Sequence, residues 1–259
     1  LYRLDVQPAG LFYDEAMYGL EAGSVLRGEN FPVYFESNGC CGALFIYLVG
    51  LSIKLQGVSA FAVRFVSPVI GILTIPALYV FVKLLFGQRT ALVAALLLAV
   101  SRWHTNFSRV AFDAITVPLM ELVVFYFLFK GLRTRRRMDF VWAGAAAGIG
   151  LNAYAAFRLV PFIAAFYVLY KLVLERRLQA KVAVGLGALV LATLVVASPL
   201  VELYLQNPKL INGRVETVNV FAGKSREAGI QTVLENTRKH VLMFNREGES
   251  IVVEAHENA

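Results

Sequence analysis

Long apolar runs with few charged residues dominate this chain between residues 61 and 201. Such runs match the roughly 20 residues that a helix needs to cross a hydrocarbon core about 30 Å thick. Hydrophobic residues make up 58% of the 259 positions, charged residues make up 17%, and the mean hydropathy is +0.63. A soluble domain of this size could not cover so much apolar surface. The sequence therefore predicts an all-α fold, a polytopic membrane helix bundle.

Three regions follow from the pattern of polarity along the chain. Residues 1–60 are mixed in polarity and are predicted to form a loop on the outer side, which carries two helices near the membrane surface. These are an amphipathic helix over 14–26, with Met17, Leu20 and Leu26 on one side and Gly28 at its end, and a short apolar helix over 43–56. Residues 202–259 are predicted to be a polar tail on the outer side. Between these regions lie the predicted spans, 61–85, 89–103, 114–132, 139–156, 159–174 and 180–201.

The distribution of basic residues predicts the orientation of the six spans. Alternate joints between the spans carry eleven cations, whereas the opposite joints and flanks carry four. The positive-inside rule places the richer joints, here named the cationic joints, in the cytoplasm. The amino-terminal segment 1–60 and the joints around 104–113 and 156–159 then share the outer face, provided that 43–56 does not cross. The cations of the cationic joints are Lys83, Arg89, Lys130, Arg133, Arg135, Arg136, Arg137, Lys171, Arg176, Arg177 and Lys181.

The net charge, the two cysteines and the first residue of the chain bear on what class of protein this is. The net charge of +7 comes from clusters between apolar runs, which is typical of a membrane protein rather than of a nucleic-acid-binding protein. The adjacent pair Cys40 and Cys41 forms neither a disulfide framework nor a zinc-binding spacing. Because the chain starts at Leu1 without a signal peptide, we expect a piece of a longer protein. Gly144 and Gly148, four residues apart, predict that the fourth span packs inside the bundle.

Two neighbouring acids, Asp14 and Glu15, are the first candidates for chemistry. A carboxylate at a membrane surface can act as a general base for an attacking hydroxyl. The alternative is structural, because Asp14 is also a good helix N-cap and Glu15 is favoured in a first helical turn. The residues alone leave both interpretations open.

The outer joints supply the other candidates. Arg109 could hold a phosphate with Asp113 as a second acid, or the two could simply pair at a helix end. Tyr154 and Arg158 could meet an anionic lipid headgroup, although ordinary snorkelling explains Arg158 nearly as well. Glu121 lies inside a span, where a carboxylate costs about 2.5–3.5 kcal/mol and usually faces a cavity or a partner. The sequence shows neither a phosphate-binding glycine loop nor a metal-ligand cluster.

Taken together, these motifs resemble the membrane glycosyltransferases of the C-type fold over residues 8–201. The similarity is to bacterial relatives of protein O-mannosyltransferases and of the aminoarabinose transferase of lipid A. It rests on the order of the motifs, which are Asp14-Glu15, Gly57-x-x-x-Phe61-x-x-Arg64, Leu85-Phe86-Gly87, Phe107-Ser108-Arg109, and Tyr154 with Arg158.

The resemblance implies a glycosyltransferase of the inner membrane that acts on the extracytoplasmic face, using a polyprenyl-phosphate sugar donor and membrane lipid as partners. It implies Asp14, Glu15 and Asp113 as catalytic residues, with Glu15 either assisting or holding the loop. Arg109, Tyr154 and Arg158 would bind substrate, and a divalent metal near the acids is left open. The fragment would lack the family's first span and its carboxyl-terminal part. The alternatives are a transporter or flippase for a lipid-linked solute, which Glu121 and the glycine-rich fourth span support, and a non-catalytic membrane scaffold. The acceptor and the sugar are not specified.

Overall fold

Helices account for nearly all regular structure in the computed structural model, which describes residues 3–6, 8–35, 41–175, 179–208 and 226–242. The chain divides into two compact units, residues 1–210 and 211–259, and each is described by itself. Within its described residues, the second unit is one helix, Arg226–Leu242. Among the described residues the extended structure is limited to one pair of two-residue strands. The all-α prediction is confirmed.

The amino-terminal segment 1–60 forms two main helices that pack against each other. Its elements are helix α1 (Tyr13–Leu26), strands β1 (Tyr34–Phe35) and β2 (Cys41–Gly42), helix α2 (Ala43–Gln56) and the start of the short helix α3 (Ala60–Arg64). The strands pair antiparallel. The rings of Tyr18 and Phe45 meet edge to face with centroids 5.3 Å apart, and Ala22 lies opposite Gly50. The predicted helices over 14–26 and 43–56 are therefore both present, at nearly the predicted bounds.

The buried face of α1 differs from the predicted one. Leu20 and Leu26, predicted to share the apolar side with Met17, are 67% and 41% exposed. The buried residues are instead Glu15, Tyr18, Ala22 and Val25, which recur at the three- and four-residue spacing of one helix face. The predicted face was wrong because the buried face includes Glu15, a carboxylate, and Ala22, a small residue, and a search for large apolar side chains overlooks both.

The second half of the first unit is a bundle of apolar helices. They are α4 (Val66–Phe86), α5 (Gln88–Ala99), α6 (Arg102–Phe107), α7 (Thr116–Thr134), α8 (Arg137–Leu151), α9 (Leu159–Glu175), α10 (Ala180–Val196) and α11 (Ser198–Gln206). Single 3₁₀ turns, Asp113–Ile115 and Ala155–Arg158, precede α7 and α9.

Length and composition qualify three stretches as membrane-crossing helices, Ala60–Phe86, Asp113–Thr134 and Ala155–Leu174. The pair α10 and α11 would make a fourth, bent by 63°. All six predicted segments are helical, but α5 has 12 residues and α8 has 15, fewer than the roughly 20 of a full crossing. The three qualifying helices support a multi-pass membrane protein. The number of six crossings stays a prediction.

Two predicted spans are interrupted. The segment 89–103 stops at Ala99, and a new helix starts after Ser101, whose hydroxyl accepts from the amide of His104 at 3.5 Å. The segment 180–201 breaks at Ala197, just before Pro199 at the start of α11. Proline is favoured in a first helical turn but cannot continue a helix hydrogen-bond ladder, so it marks the break. The predicted tail from residue 202 begins inside α11, and its residues 209–225 and 243–259 lie outside the described residues.

The glycine-rich helix α8 packs closely against α10. A Cβ on Gly144 would lie 2.2 Å from the carbonyl oxygen of Leu189, and the Thr193 hydroxyl donates to the Gly144 carbonyl at 3.1 Å. A Cβ on Gly148 would lie 2.6 Å from a carbon of Val196. The predicted interior packing of this helix is confirmed, and the small residues permit it by letting the two backbones approach.

We predict that Gly144→Ala lowers the thermal unfolding temperature of the detergent-solubilised protein, because overpacking at a backbone contact costs about 1–3 kcal/mol. The matched control is Gly187→Ala on α10. Gly187 is exposed and a Cβ there would meet nothing within 4 Å. Alanine at that position should be neutral or stabilise the helix by up to about 1 kcal/mol. Equal effects of the two substitutions would contradict the close packing.

Candidate functional site

A buried ion pair joins α1 to α3. The Arg64 guanidinium donates from Nε to Oε1 of Glu15 at 2.8 Å and from Nη2 to Oε2 at 2.7 Å, and both side chains are 0% exposed. This two-pronged arrangement is the strongest geometry open to an arginine and a carboxylate. Burial of the two charges is tolerated only when such geometry and further hydrogen bonds satisfy them.

Those further hydrogen bonds extend from Arg64 to the start of the chain. Its Nη1 donates to the carbonyls of Leu4 at 3.1 Å and Pro8 at 2.9 Å, and its Nη2 also donates to the carbonyl of Gly10. With the two bonds to Glu15, the five donors of the guanidinium each have an acceptor. Arg64 thus holds Leu4, Pro8 and Gly10 onto the helices. Gly10 has φ +73°, in the left-handed region that glycine adopts most readily.

The carboxylate of Glu15 binds two backbone amides as well. Its Oε2 accepts from the amide of Phe12 at 3.0 Å, which closes the first turn of α1. Its Oε1 accepts from the amide of Ala111 at 2.8 Å, and Ala111 lies in the joint between α6 and α7. One carboxylate therefore fixes both the start of α1 and a joint nearly a hundred residues away.

These contacts separate the two acids of the Asp14-Glu15 motif. Phe12, not Asp14, occupies the N-cap of α1, so the interpretation of Asp14 as a cap is wrong. Asp14 is instead the second residue of the helix and is half-buried. Glu15 has no exposed surface and is fully engaged, which favours the loop-holding role over direct action on a substrate.

The joint between α6 and α7 carries the next two candidates. Arg109 is half-buried and follows α6, and its amide donates to the Asn106 carbonyl at 3.0 Å. Asp113 is 2% exposed and begins the 3₁₀ turn before α7, where its carbonyl accepts from the Thr116 hydroxyl at 2.6 Å. The joint is therefore fixed at two points, by the Ala111 amide on Glu15 and by this turn.

The turn after the carboxyl-terminal end of α8 brings the last two candidates to the same place. The ring of Tyr154 meets that of Phe112 edge to face at 6.1 Å, and the Arg158 guanidinium donates to the Tyr34 hydroxyl at 3.4 Å. Nearby, the amide of Leu44 donates to the Asn152 carbonyl at 3.2 Å. A Cβ on Gly42 would lie 2.3 Å from that carbonyl oxygen, so only glycine permits the approach.

The structure thus brings together the three chain segments that the charge distribution predicts on one face. The segment with Asp14 meets the segment with Arg109 and Asp113 through Glu15 and Ala111. That joint meets the turn with Tyr154 through Phe112, and the turn returns to the amino-terminal segment through Arg158 and Tyr34. Glu121 lies apart from this cluster, half-buried along α7.

Three contributors were missed from the sequence. The sequence predicts Arg64 only as part of a motif, not as the partner of Glu15. Its position between apolar residues at the start of a span was an available signal, because a buried cation requires a carboxylate partner. Tyr34 and the amide of Ala111 carried no sequence signal, since each acts through contacts distant in the chain.

An apolar groove of about 320 Å³ lies beside the cluster. It is lined by α2, α4 and α7, with Leu48 and Leu51 from α2, Leu73 from α4 and Met120 from α7. Thr116 also lines it and is the residue whose hydroxyl bonds the carbonyl of Asp113. The groove therefore begins one helical turn from a candidate acid. Across the described ranges, no group of three or more histidine, cysteine or acidic side chains is placed to hold a metal ion.

Comparisons with known proteins place these observations in context. The family described as dolichyl-phosphate-mannose-protein mannosyltransferase matches residues 42–201. Among solved structures, ArnT from Cupriavidus metallidurans in the apo state matches with a TM-score of 0.64 and 16% identity, over 79% of this chain. The match covers 40% of the ArnT chain, so this chain spans about two fifths of that protein's length. The similarity shows a common fold, the C-type glycosyltransferase membrane bundle. No curated protein matches.

We predict that Arg64→Met strongly destabilises the first unit, by about 3–5 kcal/mol, because it leaves the Glu15 carboxylate buried without its cation. The double variant Glu15→Leu/Arg64→Met should cost less than the sum of the two single variants, since neither charge remains. Thermal unfolding in detergent of the four proteins measures the coupling. Strictly additive effects would show that the pair does not act as a unit.

Proposed function

Because the chain belongs to the dolichyl-phosphate-mannose-protein mannosyltransferase family, we propose that it forms part of a glycosyltransferase that takes its sugar from a polyprenyl-phosphate carrier. The acceptor would be a hydroxyl group at the extracytoplasmic face of the inner membrane. One observation carries the proposal. Three distant segments with acidic and basic candidates converge beside an apolar groove.

Asp14 is the general base in this proposal. Glu15, Arg64 and the Phe12 amide fix the first turn of α1, so the position of Asp14 in that turn is set by a rigid network rather than by a mobile loop. A base must lie within hydrogen-bond reach of the proton it removes, and a preset backbone provides that precision. Asp14 is half-buried, which leaves part of its side chain accessible to an acceptor.

The two arginines would stabilise the leaving group. When the bond between the anomeric carbon and the phosphate oxygen breaks, both electrons stay on the oxygen and negative charge develops on the lipid phosphate. Preset cations at Arg109 and Arg158 would meet that charge, and guanidinium groups match the geometry of phosphate oxygens. Asp113 would be a second acid and Tyr154 would contact the sugar or the phosphate.

The proposed reaction is a single displacement, which requires one base and one site for the leaving phosphate. The acceptor oxygen attacks the anomeric carbon, its proton passes to Asp14, and polyprenyl phosphate departs from the opposite face. Such a step inverts the anomeric configuration, as in glycosidases that hold base and leaving group on opposite sides of the sugar. The acids of the described residues are not grouped as metal ligands would be, so no step of the proposed reaction is assigned to a divalent metal.

The apolar groove would hold the prenyl chain beyond the one or two isoprene units next to the phosphate. Transfer of a hydrocarbon chain onto an apolar surface is favourable, and the groove begins at Thr116, next to Asp113. This position would place the phosphate of the carrier near the candidate residues and its tail along α2, α4 and α7. The transporter alternative rests on Glu121, which lies along α7 outside the cluster, so the geometry favours transfer.

Asp14→Asn in the full-length protein tests the proposed base. We expect transfer to fall by at least about 100-fold, the usual contribution of a general base, with unchanged membrane insertion and unfolding temperature. The matched control is Asp5→Asn, the same change at an exposed carboxylate of the same segment. Activity retained in Asp14→Asn, or lost equally in Asp5→Asn, would contradict the proposal.

Leu51→Trp tests whether the groove binds the prenyl chain of the donor. Leu51 is 54% exposed and lines the groove, so a larger ring would narrow it without disturbing the core. We expect KM for a long-chain polyprenyl donor to rise about tenfold, equivalent to about 1.4 kcal/mol, with little change for a donor with one or two isoprene units. Leu20→Trp, on the exposed side of α1, serves as the control. Equal effects on long and short donors would show that the chain binds elsewhere.

A further inference from the structure

A second cavity lies at the opposite end of the bundle from the candidate functional site. It has a volume of about 340 Å³ and is formed where α4, α7, α9 and α10 meet. The helix α7 separates the two places, because Thr116 lies at its beginning and Arg133 lines the cavity near its end. At about 1.5 Å per residue the two residues are some 25 Å apart along the helix axis.

The lining of this cavity combines positive charge with apolar walls. Arg133, Arg135 and Lys171 provide three cations, and Gln179 adds an amide. The rings of Phe129 and Tyr167 form part of the wall and stack with centroids 4.5 Å apart. Within the described chain the lining includes no carboxylate. The cavity is therefore suited to an anion that also carries hydrocarbon.

The backbone at Arg135 points to a use for its side chain. Arg135 has φ +58° and ψ +23°, the left-handed conformation, and its amide caps α7 by donating to the Gly131 carbonyl at 2.8 Å. Glycine usually occupies this position because a side chain makes the conformation unfavourable. Here an arginine occupies it and lines the cavity.

The acid of the joint between α7 and α8, Asp139, is engaged by groups outside the cavity. The Asp139 carboxylate accepts from the Thr134 hydroxyl at 2.7 Å and pairs with the Lys130 ammonium at 3.2 Å. Arg133 donates one of its five N–H groups to the Leu84 carbonyl at 2.5 Å, which fixes the guanidinium across two cationic joints. Asp139 is therefore directed to Lys130 and Thr134. The Lys130–Asp139 pair and the Arg133 contact together hold the joint in place.

We propose that this cavity binds the phosphate group of an anionic membrane lipid. Guanidinium forks match phosphate oxygens, and basic pockets between membrane helices on the cytoplasmic side suit anionic headgroups. The charge distribution places this end of the bundle in the cytoplasm, where such a headgroup is available. The apolar wall would contact the glycerol and the first acyl carbons. The site is independent of the proposed glycosyl transfer.

Lipid binding to the full chain provides the test, with the protein reconstituted in phosphatidylcholine nanodiscs and phosphatidylglycerol as the probe. Native mass spectrometry and the shift in unfolding temperature report binding. The first variant is Arg135→Gly, which removes the side chain and suits the left-handed backbone, so the fold is preserved. The second is Arg135→Gly/Lys171→Gln. The control, Arg136→Gln/Arg137→Gln, removes two charges from the same joint at positions that do not line the cavity.

We expect phosphatidylglycerol to bind the natural chain and the control with similar affinity, and Arg135→Gly/Lys171→Gln at least fivefold more weakly. Arg135→Gly alone should show an intermediate loss with an unchanged or higher unfolding temperature in phosphatidylcholine. Equal weakening in the control would overturn the site in favour of general surface charge. Inorganic phosphate that displaces the lipid at equal concentration would overturn the lipid assignment in favour of a free anion.

Discussion

The ion pair between Glu15 and Arg64 determines the arrangement of the amino-terminal half of this protein. Two charges with no exposed surface are stable only when every donor and acceptor is matched. The matching groups come from Leu4, Pro8 and Gly10, from the start of α1, and from the joint that contains Ala111. Satisfying one guanidinium and one carboxylate therefore orders three chain segments at once. Loss of Arg64 would remove the contacts to Leu4, Pro8 and Gly10, and loss of Glu15 would remove the contacts to Phe12 and Ala111.

This network gives the two adjacent acids different roles. Glu15 has a structural position, because Arg64 and two backbone amides donate hydrogen bonds to its carboxylate oxygens. Asp14 follows Tyr13 in the same first turn, held in place by its neighbour. In the proposed reaction this motif would thus supply a positioning group, Glu15, and the base, Asp14. The same carboxylate, through the Ala111 amide, sets the joint that bears Arg109 and Asp113, so acid and phosphate-binding candidates share one support.

Residue composition and hydrophobic periodicity were enough to predict some features of the fold but not others. The apolar runs predicted the helix bundle, and the glycines of α8 predicted its close packing, because both depend on local residue type. The ends of spans were harder, since the breaks at Ala99 and Ala197 depend on single capping residues and a proline. The buried face of α1 was mispredicted because one of its residues, Glu15, is an acid. The partner of that acid lies 49 residues away, beyond any local pattern.

The configuration of the transferred sugar tests the central claim most directly. The full-length protein would be reconstituted and supplied with a polyprenyl-phosphate sugar of defined anomeric configuration and a hydroxyl acceptor, and the product would be examined by NMR. The proposed single displacement, with Asp14 as base and lipid phosphate as leaving group, predicts a product of inverted configuration. A product that retains the donor's configuration would require a covalent intermediate or another geometry, and would contradict the account.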